Sequence, residues 1–133
     1  MSELEKEITR IEKEMAAAFN RKDLEKVLEF FEPDLVGFSS TTHVRIQGLN
    51  DLKKTFEYYL QEGETVEYSI SNIFLQNFGE VVVASFQWVV VLRDGDRVHE
   101  IPGRGTHVFH KKNNQWRVVH EHFSRVHHHK GSI

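Results

Sequence analysis

The sequence contains no cysteine, which excludes disulfide bonds and thiol catalysis and is compatible with a reducing cytosol. It also lacks long hydrophobic runs. Runs such as those at residues 81–84 and 88–92 fall far short of the roughly 18 apolar residues of a membrane span. The first residues, "MSELEKEITR", are charged from Glu3 onward and do not match a secretory signal. We therefore expect a cytoplasmic protein.

The sequence has no large excess of charge of either sign. The net charge is −3 with histidines neutral, so no basic field is available to recruit nucleic acid or an anionic membrane. The length of 133 residues, with 39% hydrophobic and 28% charged residues, fits one soluble domain with one core. We predict a single domain over residues 1–125. Residues 126–133, "VHHHKGSI", are more typical of a flexible, solvated tail than of a metal site.

Hydrophobic periodicity predicts two helices at the start of the chain. Ser2 and Glu5 have the spacing of a capping box, in which each side chain binds a free backbone amide of the other residue. Apolar residues then recur at helical spacing over residues 3–20. Asp23 can cap a second helix, which we expect to continue until Pro33 stops it.

The rest of the chain predicts two short strands, a third helix and an antiparallel meander. The strands lie in "LVGFSSTTHVRI", and the helix runs from about residue 48 to 63. Apolar residues after position 64 alternate with a period of two. Residues 80–93 form a long strand that is apolar on both faces, and the last two strands are 96–111 and 115–125. This order defines an α+β fold, and a second subunit is the simplest cover for the sheet's outer face.

This order of elements, with a helix ending in "FFEPD", a "QGLNDLKKTF" helix and a final "WRVVHEHFS" strand, resembles the nuclear transport factor 2-like superfamily over nearly the whole chain. Its most similar branches are the SnoaL-like polyketide cyclases, the ketosteroid isomerases and the association (hub) domain of calcium/calmodulin-dependent kinase II. The segment "GRGTHVFHKKNNQWRVVHEHFS" looks most like the hub and its stand-alone bacterial relatives. The resemblance implies a cone: a curved antiparallel sheet wrapped around the first helix, with a pocket at its open end. It also implies homodimers or larger rings formed through the outer face of the sheet.

The resemblance also implies where catalytic residues would stand. The helix tyrosine of the isomerases corresponds to Met15, their general-base aspartate to Ser39, and their protonated acid to His107 if the last hairpin is one residue shorter here. A serine cannot supply the basicity of a carboxylate, so the sequence argues against steroid isomerisation. The pocket arginines of the hub correspond to His107, Phe123 and Trp88, which puts binding of the hub's acidic ligands in doubt as well.

The same comparison predicts which side chains face the pocket, namely Phe86, Trp88, Val90, His107, Val119, Glu121 and Phe123. It directs Trp116, Val118, His120 and His122 outward. The residues themselves leave two registers open for the last hairpin. A two-residue loop pairs His107 with His120, whereas a three-residue loop with a bulge pairs it with Val119, beside Glu121. We adopt the second register.

Glu121 lies between apolar residues on its strand face, and a buried carboxylate needs a partner for its charge. His107 is the candidate partner. A His–Glu pair can exchange protons near neutral pH, although it can equally be a structural contact. We nominate His107 and Glu121 as catalytic residues. The candidate ligand contacts are Phe86, Trp88, Phe123, Val119 and Tyr59, with Arg104 at the mouth for an anionic group.

His120 and His122 share one strand face and invite a zinc interpretation. Zinc needs four ligands, and His110 is the only further candidate nearby, so we expect no metal. The sequence has no glycine-rich phosphate loop, and we expect no cofactor. Two functions stay open. One is a small-molecule-binding SnoaL-like domain, an isomerase, lyase or cyclase working by proton transfer in an apolar pocket. The other is an oligomerisation or scaffold module with a vestigial pocket.

Overall fold

Three helices and six strands follow one another in the computed structural model, which describes residues 2–126. Their order is α1 (Glu3–Asn20), α2 (Leu24–Leu28), β1 (Phe31–Phe38), β2 (Ile46–Gln47), α3 (Leu49–Leu60), β3 (Thr65–Asn77), β4 (Val81–Asp94), β5 (Arg97–Lys112) and β6 (Gln115–Arg125). The predicted α+β class is confirmed. Apart from Val126, the predicted histidine-rich tail lies outside the described residues.

The sheet is curved and unclosed, with the strand order β2-β1-β6-β5-β4-β3. Strands β3 to β6 form the predicted antiparallel meander. Strand β1 pairs in parallel with β6, so the sheet is mixed rather than entirely antiparallel. The helices pack on one face of the sheet, and the hydrophobic core lies between the helices and that face. No helix among residues 2–126 is long and apolar enough to cross a membrane. The cytoplasmic location stays a prediction from the sequence.

Helix α1 supplies one side of the core. Its capping box forms as predicted, because Ser2 Oγ accepts a hydrogen bond from the Glu5 amide at 3.1 Å and Glu5 accepts one from the Ser2 amide. The buried stripe of the helix comprises Ile8, Ile11, Glu12, Met15, Ala16, Ala18 and Phe19. Glu12 is the only charged member of this stripe, and it is 2% exposed. A carboxylate at such a position requires a buried partner.

The second helix is shorter than predicted. It ends at Leu28, and the chain is already extended at Phe31, before Pro33. Two effects explain the difference. A proline disfavours the helical conformation in the residue before it. In addition, Phe31 pairs with Val118 of β6, and the Val118 amide donates to the Phe30 carbonyl at 2.8 Å. The proline restricts Glu32, and pairing with β6 extends strand β1 one residue further back, to Phe31.

The last hairpin has a register that differs from both of the predicted ones. Its turn contains two residues, Asn113 and Asn114, which have φ values of 52° and 64°. The pairing then shifts by one residue at Val119, and His107 therefore pairs with Glu121. Our choice of a three-residue loop and a His107–Val119 pair was wrong. A β-bulge placed inside the strand, rather than a longer loop, supplies the shift.

This bulge also corrects the predicted facing of three residues. Because one extra residue reverses the alternation along β6, Val118 is fully buried in the core, and Trp116 packs toward Leu4 and Glu7 of α1. Both had been expected on the outer face. Val119, expected in the pocket, lies instead at the surface near Glu32 and His110. His120 pairs with Val108 and His122 pairs with Thr106, both beyond the bulge.

Candidate functional site

A cavity of about 60 Å³ lies between the helices and the concave face of the sheet. Aromatic side chains make up much of its wall, namely Phe19, Phe31, Phe56, Tyr59, Tyr68, Trp88 and Phe123. This volume can hold water or a small chemical group, but pockets for drug-sized ligands start at roughly 300 Å³. A ring-sized ligand could therefore enter only if side chains of the wall moved.

Glu12, His107 and Glu121 form a buried hydrogen-bonded group in this wall, here called the Glu–His–Glu trio. His107 Nδ1 lies 2.9 and 2.8 Å from the two carboxylate oxygens of Glu12, and Nε2 lies 2.8 Å from Glu121 Oε1. The three residues are between 2% and 4% exposed. Carboxylates accept hydrogen bonds on both sides of the ring, so the imidazolium form, in which both nitrogens donate, satisfies the whole trio.

The surroundings of His107 fix its charge. Burial by itself lowers the pKa of the imidazole, because it penalises the charged form. The charges and hydrogen bonds of Glu12 and Glu121 outweigh burial and raise the pKa of His107 to about 10. At neutral pH His107 is therefore an imidazolium. The predicted proton exchange of this histidine near neutral pH does not fit such an environment.

Glu12 was absent from the sequence prediction, although the sequence carried a signal for it. It lies four residues after Ile8 and three before Met15, which places it on the apolar stripe of α1. A lone carboxylate on such a stripe indicates a buried partner on another element. His107, on an inward position of a strand, is that partner.

Aromatic rings surround the imidazole and hold it in place. The ring centroids of Phe31, Phe86, Phe109 and Phe123 lie between 5.2 and 6.0 Å from that of His107. Phe86, predicted as a ligand contact, packs against His107 and Phe123 rather than lining the cavity. Its position supports the ring of the histidine.

Three of the predicted ligand contacts line the cavity: Tyr59, Trp88 and Phe123. Trp88 stacks on Phe123 with ring centroids 5.8 Å apart and an interplanar angle of 21°. Trp88 Nε1 is buried and has no hydrogen-bond partner among residues 2–126. The indole of Trp88 therefore carries a buried donor that residues 2–126 leave without an acceptor.

Arg104 lies away from the cavity, on the strand face opposite to its two glycine neighbours. A Cβ atom at Gly105 would lie 2.7 Å from the Phe86 ring, and one at Gly103 would overlap the ring of Trp88. The glycines thus make room on the inner face for large aromatic side chains. Arg104, between them, alternates to the opposite face, where it is exposed and pairs with Gln87 and Ser124. The predicted role of Arg104 at the mouth is not supported by this position.

Tyr59 lines the cavity near the C-terminal ends of β1 and β6. Its hydroxyl lies 2.8 Å from Ser40 Oγ and accepts a hydrogen bond from Arg125 Nε at 3.3 Å. The guanidinium of Arg125 also lies over the Tyr59 ring, 5.5 Å from its centroid. Ser39 lines the cavity nearby, with its hydroxyl bonded to that of Thr41 at 2.8 Å. This edge of the cavity is therefore rich in hydroxyl groups.

Tyr68 is fixed in the wall through its backbone. The side chain of Asn20, at the end of α1, accepts from the Tyr68 amide at 2.7 Å and donates to its carbonyl at 2.9 Å. Burial, followed by the nearby charges of Glu12 and Glu121, raises the pKa of the Tyr68 phenol well above 10. The phenol is therefore a neutral hydrogen-bond donor.

Metal-ligating side chains do not converge in the described part of the chain. Among residues 2–126, no group of three or more histidine, aspartate or glutamate side chains is arranged to hold a metal ion. His122 packs instead against Phe38, with ring centroids 5.6 Å apart.

Solved structures share this fold. An NTF2-like protein of unknown function from Pseudomonas putida KT2440 superposes with a TM-score of 0.81 at 18% identity, over 96% of this chain and 90% of that one. The association domain of C. elegans CaMKII superposes with a TM-score of 0.76 at 19% identity, over 91% and 95%. A candidate scytalone dehydratase from Novosphingobium aromaticivorans does so with a TM-score of 0.78 at 15% identity, over 90% and 82%. Because these identities are below 20%, the comparisons show a shared fold and do not show a shared function.

Sequence comparison gives the family. No curated protein shows a significant match to the chain. The SnoaL-like domain family matches residues 8–128, which include every strand and most of α1. The protein therefore belongs to the SnoaL-like domain family, within the nuclear transport factor 2-like superfamily.

Proposed function

We propose that the cavity binds a small molecule and that Glu121 accepts a proton from it, as in an isomerase or a lyase. One observation carries the proposal. Glu121 Oε1 is held by His107 at 2.8 Å, whereas the hydrogen bonds of residues 2–126 include none to Oε2. The side chain lines a cavity with mostly apolar walls. A carboxylate oxygen without a protein donor, next to space for a ligand, can act as a general base.

The other two members of the trio have positioning roles in this proposal. His107 binds one oxygen of Glu121 and leaves the other free, which fixes the direction of the proton-accepting oxygen. Glu12 binds the opposite nitrogen of the same ring with both of its oxygens. A base oriented by a second group, itself oriented by a third, is a common arrangement in catalytic sites.

The aromatic wall supports the same function. Trp88 and Phe123 offer flat apolar surfaces beside Glu121, and they keep bulk water away from it. Tyr68, Ser39 and Ser40 add hydroxyl groups that can orient a polar atom of the ligand. This combination of apolar surface and a few directed polar groups is typical of small-molecule sites.

Deuterium exchange into acetone, a ketone small enough for this cavity, followed by proton NMR in heavy water, tests the proton transfer. In this reaction Glu121 Oε2 takes a proton from the carbon next to the carbonyl, and the C–H electron pair forms the enolate double bond. A deuteron from solvent then returns to the carbon. We expect exchange above the buffer rate, and a loss of about 100-fold or more of the enhancement in Glu121→Gln. Glu67→Gln, an exposed carboxylate on β3, is the matched control. Exchange at the buffer rate with the wild-type protein would contradict the proposal.

The likeness to the CaMKII association domain favours a second function, as an oligomerisation module. The outer face of the sheet supports it. Val83, Val89 and Val91 of β4 and Val108 of β5 are partly exposed there, and no helix of residues 2–126 covers them. Partly exposed valines in one patch are typical of an interface. In this case the protein would associate with itself, and the cavity would be vestigial.

A further inference from the structure

The Glu–His–Glu trio contains more negative than positive charge. Both ring nitrogens of His107 are already bound, one to Glu12 and one to Glu121. A single imidazolium offsets only one of two carboxylates. Among residues 2–126, no lysine or arginine lines the cavity. Uncompensated charge in an apolar interior is costly, so the cavity favours an occupant that brings a positive charge or a proton.

Arg125, a cation that contacts the cavity wall from outside, does not provide this charge. Arg125 lies over Tyr59 and bonds to its hydroxyl, whereas Tyr59, not Arg125, forms the cavity wall. Residues 2–126 therefore supply no cation other than His107 to this part of the cavity, and an occupant can supply it.

The walls of the cavity favour the same chemistry. Seven aromatic side chains line the space that Glu121 also lines. The faces of aromatic rings attract ammonium groups, and cages of such rings recognise choline and methylated lysine. A neutral ligand would make the apolar contacts but leave Oε2 without a charge partner, and an anion would add to the excess.

We propose that the cavity binds a small organic cation, an amine or a methylated ammonium, with its charge beside Glu121 Oε2 and its carbon atoms against Trp88 and Phe123. The proposal rests on the small-molecule function above and names the class of ligand. The volume of about 60 Å³ agrees with it, because this space suits a compact head group and not a fused ring system.

Three probes with one shape and three charges test the proposal. Choline is positive, 3,3-dimethyl-1-butanol is its neutral isostere, and 3,3-dimethylbutanoate is the corresponding anion. Their affinities for the whole chain at pH 7 are measured by ligand-observed NMR titration. We expect choline to bind roughly tenfold or more tightly than the alcohol. The anion should bind most weakly.

The outcomes separate this proposal from the function on which it rests. If the alcohol or the anion binds as tightly as choline or more tightly, the cationic class is wrong and small-molecule binding stands. If none of the three binds but the protein still accelerates deuterium exchange into the ketone, the cationic class is wrong and small-molecule binding stands. If none binds and exchange also runs at the buffer rate, both proposals fail for this cavity.

Variants locate the binding. Glu121→Gln should remove the advantage of choline over the alcohol and leave the affinity of the alcohol unchanged, whereas the exposed control Glu67→Gln should alter neither affinity. If Glu121→Gln does not fold, as judged by circular dichroism, Phe123→Leu replaces it. Loss of that aromatic face should weaken choline more than the alcohol. Unchanged choline binding in a folded Glu121→Gln or Phe123→Leu variant would overturn the proposal.

Discussion

Glu121 faces His107 directly across strands β5 and β6, and its Oε1 lies 2.8 Å from His107 Nε2. The bulge at Val119 sets this relationship. Without the extra residue, the two-residue turn would place His120 opposite His107, and the carboxylate would point to the outer face. One inserted residue thus determines that the cavity contains a carboxylate beside an imidazolium instead of two histidines.

The coupling of these two residues can be measured by NMR titration of the histidines. Glu121→Gln removes one of the two negative partners of His107, so we expect the pKa of His107 to fall by about one unit from its value of about 10. His120 is an internal control, because it lies across from Val108 and should titrate as in the wild type. A response of His120 with no change in His107 would show that the register is different.

Glu12→Gln should lower the pKa of His107 further than Glu121→Gln does. Both oxygens of Glu12 lie within 2.9 Å of Nδ1, whereas Glu121 contributes one oxygen to Nε2. Among the influences that raise this pKa, the charge of Glu12 is the largest. The same titration compares the two variants, with Glu14→Gln on the exposed side of α1 as the matched control. An equal or smaller effect of Glu12→Gln would mean that Glu121 is the main partner.

Much of the fold could be predicted because local chemistry and tertiary structure agree there. The capping box at Ser2 and Glu5, the apolar stripe of α1 and the turn at Asn113 and Asn114 all form where the sequence predicts them. The end of the second helix could not be predicted in the same way. Phe31 becomes a strand residue through its pairing with Val118, which lies 87 residues later in the chain.

The candidate site was predicted in part. The inward position of His107 and Glu121 followed from the resemblance to a superfamily, and the structure brings the two together. The bulge at Val119 has no local signal, since valine fits a regular strand as well as a bulge. Trp116 and Val118 were therefore assigned to the wrong face. The pairing of Glu12 with His107 could not be predicted, because the two residues lie 95 positions apart in the chain. The periodicity of one helix shows that Glu12 is buried but not which residue it contacts.

Gly103→Ala should destabilise the protein by about 1–3 kcal/mol, because the added methyl group would overlap the ring of Trp88 and force it to move. Unfolding in urea measures the change. Arg104→Ala, the adjacent exposed position, should stay within about 0.5 kcal/mol of the wild type. A Gly103→Ala variant as stable as the wild type would contradict this prediction. It would mean that the Trp88 indole does not pack directly against the backbone of Gly103.

The oligomerisation function predicts a homodimer or larger ring at micromolar concentration, with roughly 800 Å² or more buried per partner. Val83→Glu places a charge on the outer face and should shift the mass measured by light scattering toward the monomer. Trp116→Glu is the contrasting variant. Because Trp116 packs toward α1, this change should lower stability without specifically weakening association. A wild-type protein that scatters as a monomer would contradict the prediction.

The stability of the protein should fall between about pH 6.5 and pH 10 because of His107. The pKa of this group is about 10 in the folded protein, against 6.5 for the free side chain. The folded state therefore binds the proton more tightly than the unfolded state does. The resulting contribution to the free energy of unfolding is fully present below pH 6.5 and is lost as the pH rises to about 10.

Urea unfolding at intervals across this pH range measures that loss, which we expect to amount to several kcal/mol. His107→Gln removes the titrating group, so the variant should be less stable at pH 6 and should lose less stability as the pH rises. His99→Gln, an exposed histidine on β5, should keep the slope of the wild type. If His107→Gln and the wild type lost stability in parallel, another group would be responsible, and the trio would not hold a buried imidazolium.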